Sequence, residues 1–225
     1  MWTVCAACFP MKTTSLSAGS CLQHKLMGTN AAYELHEEDR MANELHGKKV
    51  AILVENGFEQ AELTGPKEAL DKAGAQTSIV SPQAEKVKGW QHAQWGDEFP
   101  VDVPLDKADP SEFDALLLPG GVMNPDKLRI NKKAVAFVRR FFDDRKPVAA
   151  ICHAPWTLIE AGVVAGRRVT SWPSVSTDLK NAGANWVDEQ VVQDGGLVTS
   201  RKPEDIPAFN KAVLQEFSRT PAGRH

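Results

Sequence analysis

Three short runs, Val50-Ala51-Ile52-Leu53-Val54, Ala115-Leu116-Leu117-Leu118 and Val148-Ala149-Ala150-Ile151, are apolar at every position. A strand with one wet face alternates polar and apolar residues. A strand without alternation is covered on both sides, which is the mark of a parallel sheet. Segments with helical periodicity lie between and after these runs, at residues 62–73, 131–144, 156–161, 174–182 and 204–217. Further strands are expected at 76–80 and 168–172, and hairpin-like excursions at 86–104 and 186–198. Strands alternating with helices give right-handed crossovers and a mainly parallel central sheet with helices on both faces. The expected class is a three-layer α/β/α sandwich.

Composition narrows the function classes. The chain has 225 residues, of which 42% are hydrophobic, enough for a substantial core. Its net charge of −3 gives no basic footprint for nucleic acid. No apolar stretch reaches the length needed to span a membrane. Of the cysteines, Cys5, Cys8 and Cys21 precede the patterned region and Cys152 lies within it. A lone cysteine in the patterned body forms no internal disulfide there, which fits a reducing, cytoplasmic setting. Residues 1–46 lack sustained periodicity and are expected to form a flexible extension, partly helical near 33–45. Residues 47–219 are expected to form the folded domain that carries any activity, and 220–225 a tail. Translation from Met27 or Met41 would remove most of the leader. Cys5-x-x-Cys8 and Cys21-x-x-His24 have zinc-like spacing, but with no strand or helix pattern around them a disordered leader is the preferred reading. For the domain itself, no metal and no cofactor are expected.

In a parallel sheet, ligands bind at the C-terminal ends of the strands. Three such ends carry chemistry. Cys152 closes the run 148–151 and is followed by His153-Ala154-Pro155 and a helical pattern, the layout of a nucleophile elbow. The reactive species is the thiolate, so a depressed thiol pKa is expected there. Backbone N–H groups of His153 and of Gly121, in the loop Pro119-Gly120-Gly121, could form an oxyanion hole. His153 is a candidate base, or a histidine that simply begins a helix. Asp126 could orient that imidazole, or could cap the helix around Leu128. Glu59, just past the first strand, would share a proton with Cys152 if it points that way; otherwise it is an ordinary first-turn helix carboxylate.

With these residues in view, the sequence resembles the PfpI family, the intracellular protease I branch of the DJ-one/PfpI superfamily. The resemblance rests on Gly57-Phe58-Glu59-Gln60-Ala61-Glu62-Leu63, Leu118-Pro119-Gly120-Gly121, Ala150-Ile151-Cys152-His153-Ala154-Pro155, Thr170-Ser171-Trp172-Pro173 and Val198-Thr199-Ser200-Arg201, in that order over about residues 48–217. It implies a flavodoxin-like sandwich related to class I glutamine amidotransferases. It implies that Cys152 is the nucleophile and that Glu59 contacts the thiol. It also implies that His153 pairs with an acid, here Asp126, supplied by a neighbouring subunit of a dimer or larger assembly. The chain departs from the family pattern at Ala154, at Val122-Met123-Asn124 and in its leader.

The function this implies is a cysteine-dependent, stress-linked hydrolase acting on peptide or amide bonds. Two alternatives use the same thiol. One is a glyoxalase or protein deglycase acting on dicarbonyls and their adducts. The other is a non-catalytic redox sensor that oxidises at Cys152. The hairpin carrying Trp90, His92 and Trp95 is expected to cover an oligomer contact.

Overall fold

The computed structural model describes residues 44–219. The leader, its cysteines and His24, and the tail 220–225 lie outside the described residues. The elements are β1 (Lys49–Leu53), β2 (Phe58–Glu59), α1 (Gln60–Lys72), β3 (Gln76–Ser81), β4 (Lys86–Gln91), β5 (Gln94–Pro100), β6 (Val103–Pro104), β7 (Ala115–Leu118), α2 (Met123–Ile130), α3 (Lys132–Asp143), β8 (Val148–Ile151), α4 (Pro155–Glu160), β9 (Arg168–Val169), α5 (Ser176–Asn181), β10 (Asn185–Trp186), β11 (Val191–Asp194), β12 (Leu197–Ser200) and α6 (Ile206–Ser218).

The central sheet runs β11-β12-β8-β7-β1-β3-β6, parallel throughout except for β11, which pairs antiparallel with β12. Numbered in chain order, the five longer parallel strands β1, β3, β7, β8 and β12 stand in the sequence 2-1-3-4-5. That is the flavodoxin-like order, and its direction of winding reverses between β1 and β7. The apolar runs serve both faces, as their lack of alternation requires. Ala51 and Leu53 of β1 pack with Phe137 and Phe141 of α3 and Leu158 of α4. Val50 and Ile52 of the same strand pack with Leu63 and Leu70 of α1 and Phe209 and Val213 of α6.

Three expectations need revision. Helix α1 begins at Gln60, two residues before the expected start at 62, and Pro66 falls in its interior. There it leaves the Glu62 carbonyl without its i+4 amide donor. The strand expected over 168–172 is confined to Arg168–Val169, because Pro173 opens a 3-10 turn (Pro173–Val175) and the backbone leaves the sheet. The 186–198 excursion splits: β10 pairs with β9, and the hairpin proper is β11–β12.

The excursion at 86–104 is the β4–β5 hairpin, laid beside β2, with Glu59 opposite Trp90. Gln60 pins it: its amide donates to Asp97 Oδ2 and accepts from the Asp97 N–H, both at 2.7 Å. This brings the hairpin over the C-terminal edge of the sheet, at the switch point.

Candidate active site

Cys152 follows the last residue of β8 and has φ +65°, a left-handed conformation that costs a non-glycine residue about 1–3 kcal/mol. Neighbouring strands hold it there. Its N–H donates to the Ser200 carbonyl at 3.0 Å and its carbonyl accepts from the Trp172 N–H at 2.9 Å. The turn lifts the side chain off the sheet into a cavity of about 570 Å³ lined by Gly57, Glu59, Glu62, Trp90, His92, Gly121 and His153, among others. The helix that follows, α4, has six residues. Its dipole is correspondingly small.

The acid against the thiol is Glu62. Sequence reasoning placed Glu59 there. Glu62 is fully buried, its Oε2 accepts from the Gly120 N–H at 2.9 Å, and its carboxyl hydrogen-bonds the Cys152 thiol. Its other oxygen, Oε1, has no conventional hydrogen-bond partner. Glu59 caps the start of α1, is half-buried, and lines the cavity beyond the thiol. Both carboxyls line the same cavity, with Glu62 the more deeply buried. The signal for Glu62 was in the sequence: positions 62, 66 and 70 form one inward row of α1, in register with Leu63.

Burial governs the electrostatics. Desolvation, aided by the nearby Glu59 charge, pushes Glu62 up to about 8, although hydrogen bonds from Cys152 and Gly120 work against it. The Cys152 thiol is also raised, by burial first and then by the Glu62 charge. The N–H groups of Gly121 and His153 hydrogen-bond the sulfur and oppose that rise. Two acids this close in a dry site cannot both ionise near neutrality, and both directions of shift leave carboxyl and thiol protonated there. The expected standing thiolate is therefore replaced by a protonated sulfur that needs a base at the moment of attack. The two N–H groups anticipated as an oxyanion hole point at the sulfur itself.

His153 brings a ring nitrogen within hydrogen-bond reach of the sulfur. Its Nδ1 lies 3.1 Å from Sγ and its Nε2 lies 3.4 Å from Ser174 Oγ. Burial lowers its pKa, which keeps the ring neutral. The ring stacks on Trp172, with centroids 5.9 Å apart and 25° between planes, and tilts against Trp156 at 5.2 Å. Asp126 lies in the first turn of α2 and is exposed. Among the described residues no carboxylate is hydrogen-bonded to His153.

Two glycines are required for this arrangement. A Cβ on Gly120 would fall 2.7 Å from both Cys152 Cβ and Glu62 Oε2, and 2.6 Å from the Ile151 carbonyl oxygen. Gly121 has φ +78°, and a Cβ there would meet the Glu59 nitrogen at 2.6 Å. The buried Asn124, which the sequence did not single out, clamps the loops after β1 and β7. Its amide donates to the Pro119 and Gly120 carbonyls at 2.8 and 3.0 Å and accepts from the Glu55 N–H at 2.7 Å. Trp90 and His92 of the hairpin line the cavity, while Trp95 meets Trp90 edge-on and is 48% exposed. Among the described residues, no group of three or more His, Cys, Asp or Glu is arranged to hold a metal ion, and no helix is long and apolar enough to cross a membrane.

The chain is similar to known proteins. Deglycase TK1284 of Thermococcus kodakarensis is 46% identical over 167 residues, covering 74% of this chain and 98% of that protein. General stress protein 18 of Bacillus subtilis is 45% identical over 171 residues, covering 75% and 96%. Among solved structures, DJ-1beta of Drosophila melanogaster superposes with a TM-score of 0.69 at 28% identity, covering 76% of this chain and 90% of that one. The DJ-1/PfpI family model matches residues 48–216, and the chain belongs to that family.

Proposed function

We propose that this protein is a cysteine-dependent hydrolase of dicarbonyls and of their adducts on amines, in the manner of a glyoxalase or deglycase. The observation that carries this reading is the pair of carboxyls, one at the N-cap position of α1 and one in its first turn, that line the same cavity. Glu62 serves the sulfur, and Glu59, also raised by burial, faces the cavity. Hydrolysing a peptide bond requires no proton to move between carbons. Converting a dicarbonyl to a hydroxyacid does, and Glu59 is placed to move it.

In this scheme Sγ adds to a carbonyl carbon, the C=O π pair moves to oxygen, and the thiol proton passes to His153 Nδ1. A base then carries a proton from the carbon bearing sulfur to the adjacent carbonyl carbon through an enediol, leaving a thioester. One carbon is oxidised as its neighbour is reduced, so no external redox agent enters. Water hydrolyses the thioester, releasing the hydroxyacid and restoring the thiol. General acid–base steps of this kind contribute about 10²–10⁴-fold in rate. The names of the relatives support the reading, since one is a deglycase and another a general stress protein.

The reading places catalysis in residues 47–219 of a cytoplasmic protein. Asp126, exposed on α2, is free to approach His153 of a second copy in a dimer. Sedimentation of the purified chain checks the assembly. The function itself is tested by incubating the protein and its Cys152→Ala variant with methylglyoxal, with a methylglyoxal-modified amine and with an unstructured peptide. Loss of hydroxyacid formation in the variant supports the proposal. Peptide cleavage that depends on Cys152, without dicarbonyl conversion, overturns it in favour of a peptidase.

A further inference from the structure

We propose that His92 is a further catalytic residue: its ring N–H donates to the oxygen of the carbonyl remote from sulfur, where negative charge gathers as the dicarbonyl passes through its enediol. The inference rests on the dicarbonyl reading of the site and adds to it a donor, carried by the hairpin, that works beside Glu59.

The backbone points to His92 first. Among the described residues, three that are not glycine have positive φ, and two of them, Cys152 at +65° and His92 at +57°, line the same cavity. His92 and Ala93 form the two-residue turn between β4 and β5. Glycine, asparagine or aspartate normally takes a left-handed place in such a turn. A larger side chain there is strained, and strain of this kind persists where the surrounding structure imposes it, above all at functional sites. Here the surroundings do impose it. The Trp90 indole N–H donates to the His92 carbonyl at 3.0 Å, Trp95 meets Trp90 edge-on with centroids 5.4 Å apart, and Gln60 fastens the hairpin to α1 through Asp97.

The chemistry fits the place. Glu59 stands opposite Trp90 in the β2–β4 ladder. Burial raises the Glu59 carboxyl, and a charge on His92 is near enough to oppose that rise. Of the other side-chain donors in the wall, the Trp90 N–H is taken by the His92 carbonyl, and the His153 ring faces Sγ and Ser174. The Trp172 ring stacks on His153, beside the nucleophile. An imidazole keeps an N–H in either charge state, so His92 donates throughout the reaction. When Glu59 takes the proton from the carbon bearing sulfur, the C–H pair becomes the enediol double bond and the π pair of the neighbouring carbonyl moves to its oxygen. His92 holds that oxygen. The proton then returns from Glu59 to the second carbon, the hydroxyl of the first carbon becomes the thioester carbonyl, and the proton it releases neutralises the second oxygen. A donor aimed at charge that develops only during the step lowers its barrier.

The test uses the full-length chain with methylglyoxal and with phenylglyoxal, the latter also deuterated at its aldehyde carbon. His92→Phe should lower kcat about ten- to hundredfold, less than the ~10²–10³-fold for a donor shut away from water, since His92 is exposed. KM and the rate of Cys152 alkylation should stay near wild type, and the deuterium effect on kcat should be at least as large. His92→Gln, which keeps an N–H at similar reach, should recover much of the rate. His92→Gly should lose the rate while melting no lower than wild type, because glycine fits the bend. Wild-type conversion that His92→Phe and His92→Gly leave unchanged overturns the inference and spares the dicarbonyl reading. Absence of conversion by the wild type overturns both. A slower His92→Phe with a smaller deuterium effect, or with alkylation slowed equally, assigns His92 to the shape of the cavity and overturns the inference as well.

Discussion

Gly120 holds Glu62 by the absence of a side chain as much as by its N–H. The N–H donates to Oε2 at 2.9 Å, and a Cβ on the same residue would sit 2.7 Å from that oxygen. Thiol, carboxyl and loop backbone meet at a point with no room for a methyl group.

Gly120→Ala should therefore lower stability by about 1–3 kcal/mol, the usual range for overpacking, and lower turnover at least about tenfold by displacing Glu62 from the thiol. Urea denaturation and steady-state kinetics measure the two effects. A variant with wild-type turnover would show that the Glu62–Cys152 contact is not needed.

Glu62→Gln and Glu59→Gln should separate the two carboxyls. The Glu62 charge raises the thiol, so replacing it with a neutral amide should move the inflection of Cys152 alkylation to lower pH. Glu59→Gln should leave that inflection nearly in place and reduce dicarbonyl conversion. Alkylation rates across pH 5–10 check the first point. An inflection that moves upward in Glu62→Gln would contradict the Glu62 charge as a cause of the raised thiol.

Stability should fall as pH rises through the range in which native Glu62 holds its proton and the unfolded chain has lost it. The unfolded carboxyl titrates near 4.5 and the folded one at about 8. Between those values the native state binds more protons, so the slope of unfolding free energy with pH is negative. The contribution is on the order of a few kcal/mol over the whole window. Glu62→Gln should flatten the slope. Urea midpoints at pH 5.5 and pH 8 for both proteins provide the comparison, and equal slopes would remove Glu62 as the cause.

Asn124→Ala should cost about 2–4 kcal/mol, because it leaves the Glu55 N–H and two loop carbonyls buried without their partner. Turnover should fall as well, since the clamp sets the distance between the loops after β1 and β7. Hydrogen exchange at the Glu55 amide reports the release directly.

The sheet was legible because its strands have no wet face: apolar runs of four or five residues can sit only between two layers. Cys152 was legible for a related reason, as a polarisable residue ending such a run just before a helix. The acid was harder to find. Glu59 and Glu62 lie three residues apart, both in the first turn's reach, and only the true start of α1 at Gln60 turns position 62 inward. Gln60, the first residue of α1, is bonded to Asp97, which is 37 residues away in sequence. Asn124 was missed because it acts through contacts across the fold that no local spacing encodes. The direction of the thiol's pKa depended on total burial, a property of the assembled layers.

The left-handed bend at residue 152 has a practical consequence. Glycine adopts that conformation without penalty, so a Cys152→Gly chain should melt above the natural protein while doing no chemistry. A screen that ranked variants by heat tolerance alone would favour the inert ones, and selection on reactivity would have to run beside it.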